Sequence, residues 1–295
     1  MSKIVVNDSN ERIDRYLVDV IDESRSTVAK MIDEGFVLVN NKVVKTSYRV
    51  KENDEIEIKE GFVVEQDIEP VKMDLDIVFE DDDIIVINKP SGLSVHPGSG
   101  NYDNTLVNGL MYYTKNLSDV SGAERLGIVH RLDKDTSGLM LVAKNNKTHN
   151  ILSEGFKNKN IKREYIALLN GVFPHESATI DAPIGRDNLD RKKMTVTANN
   201  SKKAITHLKV LKRFEEYTLA SLILDSGRTH QIRVHAKYIG YPVYNDPVYS
   251  NKSNGSFGQF LHSTKIDFEH PITKENMHFE IDMPREMKDY VDSLD

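Results

Sequence analysis

The chain has 295 residues, 39% hydrophobic and 29% charged, with no cysteine and a formal net charge of −7. That length suits two domains and at least one sizeable core, and the missing thiols exclude disulfides, thiolate metal sites and cysteine nucleophiles. The N-terminus MSKIVVNDSNERID turns polar at once, and no stretch approaches the roughly 18 apolar residues of a membrane helix, so a soluble cytoplasmic protein is expected.

The acidity is unevenly spread. Net charge is −3 over residues 1–60, −8 over 65–83 and +4 over 84–295. An acidic chain argues against a nucleic-acid partner, but here the excess sits in one short segment. The expected organisation is a small domain over 1–62, an extended, self-repelling acidic linker over 63–80 and a second domain over 81–295.

In chain order, ERIDRYLVDVI places Ile13, Leu17 and Val20 at helical spacing. ESRSTVAKMIDEG predicts a second helix, with Ser24 as its N-cap, Val28, Met31 and Ile32 as its apolar stripe and Gly35 at its end. FVLVNNKVV predicts a hairpin turning at Asn40-Asn41. Beyond residue 74 the pattern changes. IVF, IIVIN, GLMLVAK, EYIALLNGVF, HLKVLKRF, YTLASLILD and MHFEIDM read as strands; TLVNGLMYYT and THQIRVHAKYIG read as helices. Strands outnumber helices and many are joined by short turns, so an α+β domain on a mixed, largely antiparallel sheet is expected.

Three stretches are rich in polar residues without amphipathic logic: INKPSGLSVHPGSG (87–100), GIVHRLDKDTSGLMLVAK (127–144) and LDSGRTHQIRVHAKYIG (224–240). In the second, His130, Arg131, Asp133, Asp135, Thr136 and Ser137 feed an apolar strand, which sets carboxylates at a strand mouth. Three roles are open to them: a metal site, a single nucleophile or base, or turn acids that cap local backbone. The metal reading is thin, with only Asp133 and Asp135 around Lys134. In the third stretch Thr229 and Arg233 share a helical face, while His230 and His235 are five apart and do not. The histidine spacing of zinc proteases is absent. An arginine beside a buried carboxylate keeps it ionised against desolvation. The chain has no nucleophile elbow, P-loop or strand-bound dinucleotide fingerprint, and HPGSG alone is a weak phosphate loop.

Taken together, HRLDKDTSGLMLVAK, INKPSGLSVHPG, GRTHQIRVHAKYIGYPV, KREYIALLNG and FLHSTKIDFEHP resemble the motifs of the RluA family of pseudouridine synthases, in the family's order. RIDRYL, SRSTVAKMI and GFVLVN followed by KVV resemble the small RNA-binding domain named for the fourth small-subunit ribosomal protein. The combination is similar to the RluD-like branch that acts on large-subunit ribosomal RNA. The resemblance implies isomerisation of uridine in RNA, without metal or cofactor. It puts the catalytic aspartate at Asp133, the active-site tyrosine at Tyr165 and the aspartate's arginine partner at Arg233. It also puts an apolar wall of the base pocket at Leu261 and an RNA-entering arginine at Arg131, with His130 and Thr136 as further substrate contacts. The N-terminal module implies RNA contacts at Arg25, Ser26, Lys30, Lys42 and Lys45. Two departures stand out: Tyr244-Asn245-Asp246, where relatives carry glycine before the aspartate, and Leu261-His262-Ser263, where alanine is commoner at the third position. Other readings are a non-catalytic RNA-binding ribosome-assembly factor, and the same chemistry on transfer RNA.

Overall fold

The computed structural model describes residues 2–7, 10–21, 25–59, 68–98, 103–187, 190, 193–250 and 257–295. The chain divides into two units, Met1–Asp67 and Ile68–Asp295.

In the first unit, β1 (Ser2–Val5), α1 (Ile13–Val20), α2 (Arg25–Asp33), β2 (Val37–Val39), β3 (Lys42–Val43) and β4 (Glu55–Ile58) follow one another. The strands form one antiparallel sheet in the order β1-β4-β2-β3. Ile13 and Leu17 of α1 and Val28, Met31 and Ile32 of α2 bury against Val37, Val39, Ile56 and Ile58. Gly35, at φ +76, ends α2 in a Schellman motif: Phe36 N–H reaches Met31 O at 2.8 Å and Gly35 N–H reaches Ile32 O at 3.1 Å. Asn40 and Asn41, at φ 50 and 63, make the two-residue turn between β2 and β3. Positive φ at both positions is the type I′ geometry that a right-twisted hairpin needs, and asparagine tolerates it. The expected helix–helix–hairpin is present, with β1 and β4 completing its sheet. The expected cap Ser24 lies outside the described residues.

The second unit runs β5 (Asp76–Glu80), β6 (Ile84–Lys89), α3 (Leu106–Tyr113), β7 (Ser137–Ala143), α4 (Asn146–Lys157), β8 (Lys162–Asn170), β9 (Ser177–Asp181), β10 (Ile184–Arg186), β11 (Met194–Val196), β12 (Ser201–Lys202), β13 (Ile205–Arg213), β14 (Tyr217–Leu224), α5 (Gln231–Tyr238), β15 (Leu261–Glu269), β16 (Asn276–Glu280) and α6 (Arg285–Asp292). Its main sheet has the order β5-β6-β7-β15-β8-β14-β13-β9, with β16 paired to β15. Every pairing is antiparallel except β7 with β15. A small sheet, β11-β10-β12, stands apart.

Strand alternation sorts the apolar side chains onto two faces. Ile85 and Ile87 of β6, Met140 and Val142 of β7, and Tyr165, Ala167 and Leu169 of β8 pack with Leu106 and Leu110 of α3 and Ile232 and Ala236 of α5. Ile84, Val86, Leu139 and Leu141 point the other way, against Leu152 of α4 and Ile266 and Phe268 of β15. Met287 and Val291 of α6 pack on Leu168 and Phe260. Helices on both faces explain why β6 and β7 read as continuous apolar runs rather than alternating ones.

The acidic connector is shorter than its composition suggests. Residues 76–80, counted into the linker on charge although IVF reads as a strand, form edge strand β5; a register shift at Val78 sends Ile77 to the face of Ile87 and Phe79 to the opposite face with Val86. Upstream of it, Asn108 on α3 donates to Glu69 O at 2.8 Å and accepts Val71 N–H on its backbone carbonyl at 3.0 Å.

Candidate active site

A cavity of about 560 Å³ opens on the face of the sheet that carries α5. Asp133, Tyr165, Arg233, Arg131, Leu261, His130 and Thr136 all line it. Seven Lys or Arg side chains and only two carboxylates, Asp133 and Asp225, contribute to its wall. In a chain of net charge −7 this is a cationic hollow, suited to a polyanion.

Asp133 sits in a tight turn at the mouth of β7, closed by Thr136 N–H donating to its backbone carbonyl at 3.1 Å. Gly138 allows the turn to lie there. At φ +113, a Cβ on it would fall 2.2 Å from Ser263 O of the parallel neighbour β15. The turn is also tied to the first polar stretch. Lys89, fully buried, donates to Pro90 O at 2.7 Å and to Leu93 O and Lys134 O at 2.9 Å. Burial draws its pKa down to about 7 against the pull of Asp133 and Asp135, yet three carbonyl acceptors are satisfied together only by an ammonium. Arg131 donates to His96 Nε2 at 2.8 Å, while His96 Nδ1 faces Pro97 O at 2.9 Å. The HPGSG turn is described only as far as Gly98.

Arg233, on α5, lies between two carboxylates. Its Nη1 donates to Asp133 Oδ2 at 2.9 Å, while Nε and Nη2 grip Asp246 Oδ2 and Oδ1 at 2.7 and 2.9 Å. Asp246 is wholly buried and also accepts the N–H groups of Val248 and Tyr249 at 2.8 and 3.0 Å. The Tyr249 ring lies under the guanidinium, 5.1 Å from it. Burial works against the Arg233 charge, but the two carboxylates outweigh it and raise its pKa.

Burial also pushes Asp133 upward. His230, Arg233 and Arg131 more than reverse this and hold it below the ordinary carboxylate range. His230 is itself lowered by burial and so is neutral at pH 7, which leaves Arg233, hydrogen-bonded to Asp133, and Arg131 as the cations that keep it ionised there. His230 occupies the left-handed region, φ 56, just before α5. Its Nδ1 meets Tyr249 Oη at 2.8 Å, and that hydroxyl accepts Met194 N–H at 2.9 Å. The phenol, pushed up to about 12 by burial, therefore has its proton free to donate to Nδ1. The His230 proton is then on Nε2, 3.9 Å from Asp133 Oδ1.

Two expected contacts have structural attachments as well. His130 Nε2 accepts Leu141 N–H at 2.9 Å and its ring lies on Phe156 at 4.5 Å. Thr136 Oγ1 accepts from Gln259 at 2.9 Å. His235 is purely structural, between Thr206 Oγ1 at 2.8 Å and Ala182 O at 2.9 Å. Sequence reasoning missed Asp246, Tyr249, His230 and Lys89 as members of the site. Asp246 surfaces in the sequence only as the aspartate after Tyr244-Asn245, and its place in the site comes from its grip on Arg233 thirteen residues upstream.

Among the described residues, Asp81, Asp83 and His270 alone bring three potential metal-ligand atoms together. His270 Nδ1 accepts Ile272 and Thr273 N–H at 3.3 and 3.0 Å, so the ring proton is on Nε2, 2.9 Å from Asp81 Oδ2. That nitrogen carries the proton and so has no lone pair to offer a metal. In the first unit, Lys42 and Lys45 are exposed and Lys30 lies on α2, half-buried. The side chains of Arg25 and Ser26 lie outside the described residues.

A family model for RNA pseudouridylate synthase matches residues 83–238, and one for the S4 domain matches residues 11–56. A protein of Bacillus subtilis (strain 168) described as an uncharacterized RNA pseudouridine synthase is 45% identical over 287 residues, spanning 97% of this chain and 94% of its own length. Ribosomal large subunit pseudouridine synthase D of Escherichia coli (strain K12) is 38% identical over 304 residues, spanning 98% of this chain and 92% of its own. The solved structure of human RNA pseudouridylate synthase domain containing 1 shares the fold over 75% of this chain and 94% of its own, with TM-score 0.59 at 24% identity. Among the described residues, no helix is long and apolar enough to cross a membrane.

Proposed function

The chain belongs to the RNA pseudouridylate synthase family and isomerises uridine in RNA, and we propose that its substrate is large-subunit ribosomal RNA, with Asp133 as the reacting carboxylate. One observation carries the assignment of Asp133. Of the two carboxylates in the cavity, Asp225 is paired with Lys159 at 3.0 Å. Asp133 has Oδ2 fixed by Arg233, and Oδ1 has no hydrogen bond among the described residues. An ionised, oriented carboxylate with one free oxygen is what the chemistry requires.

Uridine joins its base to ribose through nitrogen, and pseudouridine does so through carbon 5. The C1′–N bond must break, the uracil must turn within the cavity, a C1′–C5 bond must form, and the hydrogen on C5 must leave as a proton. No electrons are gained or lost overall. The free oxygen of Asp133 serves either route to the detached base: attack at C1′, or removal of the C2′ proton to give a glycal. Tyr165, buried in the cavity wall beside Leu261, offers its ring to the extruded base. Arg131, exposed at the rim, fills the place the uridine leaves and offsets part of an unstacking cost of about a few kcal/mol. Arg25, Ser26, Lys30, Lys42 and Lys45 of the first unit hold structured RNA.

The ribosomal substrate is supported by relatives named for the large ribosomal subunit, which match this chain over nearly its whole length. The reading also places the enzyme in the cytoplasm with its RNA. A non-catalytic assembly factor has no need of Asp133, Tyr165 and Arg233 in one cavity. The test is tritium release from RNA carrying 5-tritiated uridine, with wild type and Asp133→Asn compared on ribosomal and transfer RNA. Release by wild type from ribosomal RNA alone is the expected result. Release by the variant would remove Asp133 from the mechanism, and release from transfer RNA alone would replace the substrate.

A further inference from the structure

One buried cation in the cavity wall has no counter-ion among the described residues. Arg163, on β8, is 8% exposed, and its guanidinium makes no hydrogen bond or ion pair among the described residues. Its Nε is sealed from solvent without a partner. Behind it lies the Phe156 ring, 5.0 Å from the guanidinium carbon. In front, Gly227 leaves the approach open: a Cβ there would stand 3.5 Å from both terminal nitrogens. Its neighbour Glu164 points to the opposite face of the strand, where it accepts from Ser221 at 2.7 Å. A buried, permanently charged group with no counter-ion is costly, and the other buried arginine of this cavity, Arg233, has two carboxylates.

We propose that Arg163 is the seat of a backbone phosphate of the RNA strand that bears the target uridine, a proposal that rests on the RNA-modifying reading above. The planar fork of the guanidinium, backed by an aromatic ring with both terminal nitrogens facing the cavity, matches two oxygens of one phosphodiester. A neutral base carbonyl would satisfy the hydrogen bonds but not the charge. The position fits as well. Arg163 and Tyr165 lie on the same face of β8, two residues or about 7 Å apart, so an anion on Arg163 lies within one nucleotide's reach of a base on Tyr165. Arg163 thus sets which phosphate is held while the base turns, a positioning task separate from the bond chemistry at Asp133.

The test uses the full chain and a labelled RNA that the wild type converts. Binding by wild type, Arg163→Met and Arg163→Lys is titrated across salt concentrations, and thermal stability is recorded for each. Loss of one phosphate contact flattens the slope of log K against log salt by about 0.7 for a single strand, and the Met variant is expected to show this with an affinity loss of about tenfold or more. The Lys variant recovers the slope but not the full affinity. A methylphosphonate at the seated phosphate weakens wild type and leaves the Met variant indifferent. The Met variant also melts no lower than wild type, because the charge it loses had no partner. An unchanged slope in the Met variant, or lowered melting with an unchanged slope, overturns the proposal while the enzyme's activity stands. A wild type that neither converts nor binds any RNA tried overturns both readings.

Discussion

Replacing Asp246 with Asn changes one buried atom and should reach the reacting carboxylate through Arg233. Asp246 Oδ1 accepts Val248 N–H, Tyr249 N–H and Arg233 Nη2, and Oδ2 accepts Arg233 Nε at 2.7 Å. An asparagine placed with its carbonyl at the first position keeps three of these bonds. Its amide nitrogen then faces the Arg233 Nε–H, donor to donor, at a site with no exposure. Breaking a buried charge pair from one side costs about 3–5 kcal/mol, which for a unit of this size lowers Tm by roughly 6–20 °C. The guanidinium must also shift away, and displacement of a positioning group by about 1 Å costs about a hundredfold in rate. Calorimetry and the tritium-release kcat measure the two effects on the same sample. A lowered Tm with unchanged kcat would show that Asp246 supports the fold without aiming Arg233. No change in either would refute the argument.

Three further outcomes are expected. Gly138→Ala sets a Cβ 2.2 Å from Ser263 O, so it should separate β7 from β15 and abolish both cooperative melting and activity; a soluble, active variant would refute the close approach. Tyr249→Phe leaves Met194 N–H unpaired and should cost about 1–3 kcal/mol, read by urea unfolding, with His230 no longer held in one tautomer. Stability should fall in acid because of His262, whose pKa burial lowers from 6.5 to about 4. Below pH 6.5 the unfolded chain takes up a proton that the native chain refuses, so stability present above pH 6.5 is lost as pH falls towards 4, by roughly 3 kcal/mol. Buried His130, lowered by desolvation, acts in the same direction. Chemical denaturation at several pH values should show a shallower slope for His262→Asn, and coincident slopes would exclude this histidine.

Much of this architecture is legible in the residues because strand alternation and turn chemistry are local. The Asn40-Asn41 hairpin, the Gly35 helix end and the apolar runs of β6 and β7 announce themselves. Others do not, α4, α6 and β15 among them. The inward face of α4 carries Thr148, His149 and Leu152, too little apolar character for a periodic signal. α6 is short and shows only Met287 and Val291 four apart. After Leu261, β15 carries His262, Ser263 and Thr264 all buried, because the strand is paired on both edges and covered on both faces, where a sequence pattern would place such polar side chains outside. The site divides in the same way. Asp133, Tyr165 and Arg233 are visible through their motifs, since spacing alone left Asp133 open between ligand, nucleophile and turn acid. Asp246 and Tyr249 act through distances that exist only after folding, and Arg163 stands out only once its lack of a partner is known.

The position of β15 has a consequence for the order in which the molecule is made. Strands β5, β6 and β7 form one ribbon, and β8, β14, β13 and β9 another; β15 joins the two by pairing with β7 and β8. Asp133 belongs to the first ribbon, while Tyr165 and Arg233 belong to the second. A chain emerging from the ribosome holds both halves of the site before it holds the seam between them. His262 meets Ser137 across 125 residues of sequence, a long-range closure of the kind that folds late. Nascent enzyme is therefore expected to convert no uridine until β15 is released, because no other strand joins the ribbon of Asp133 to that of Tyr165.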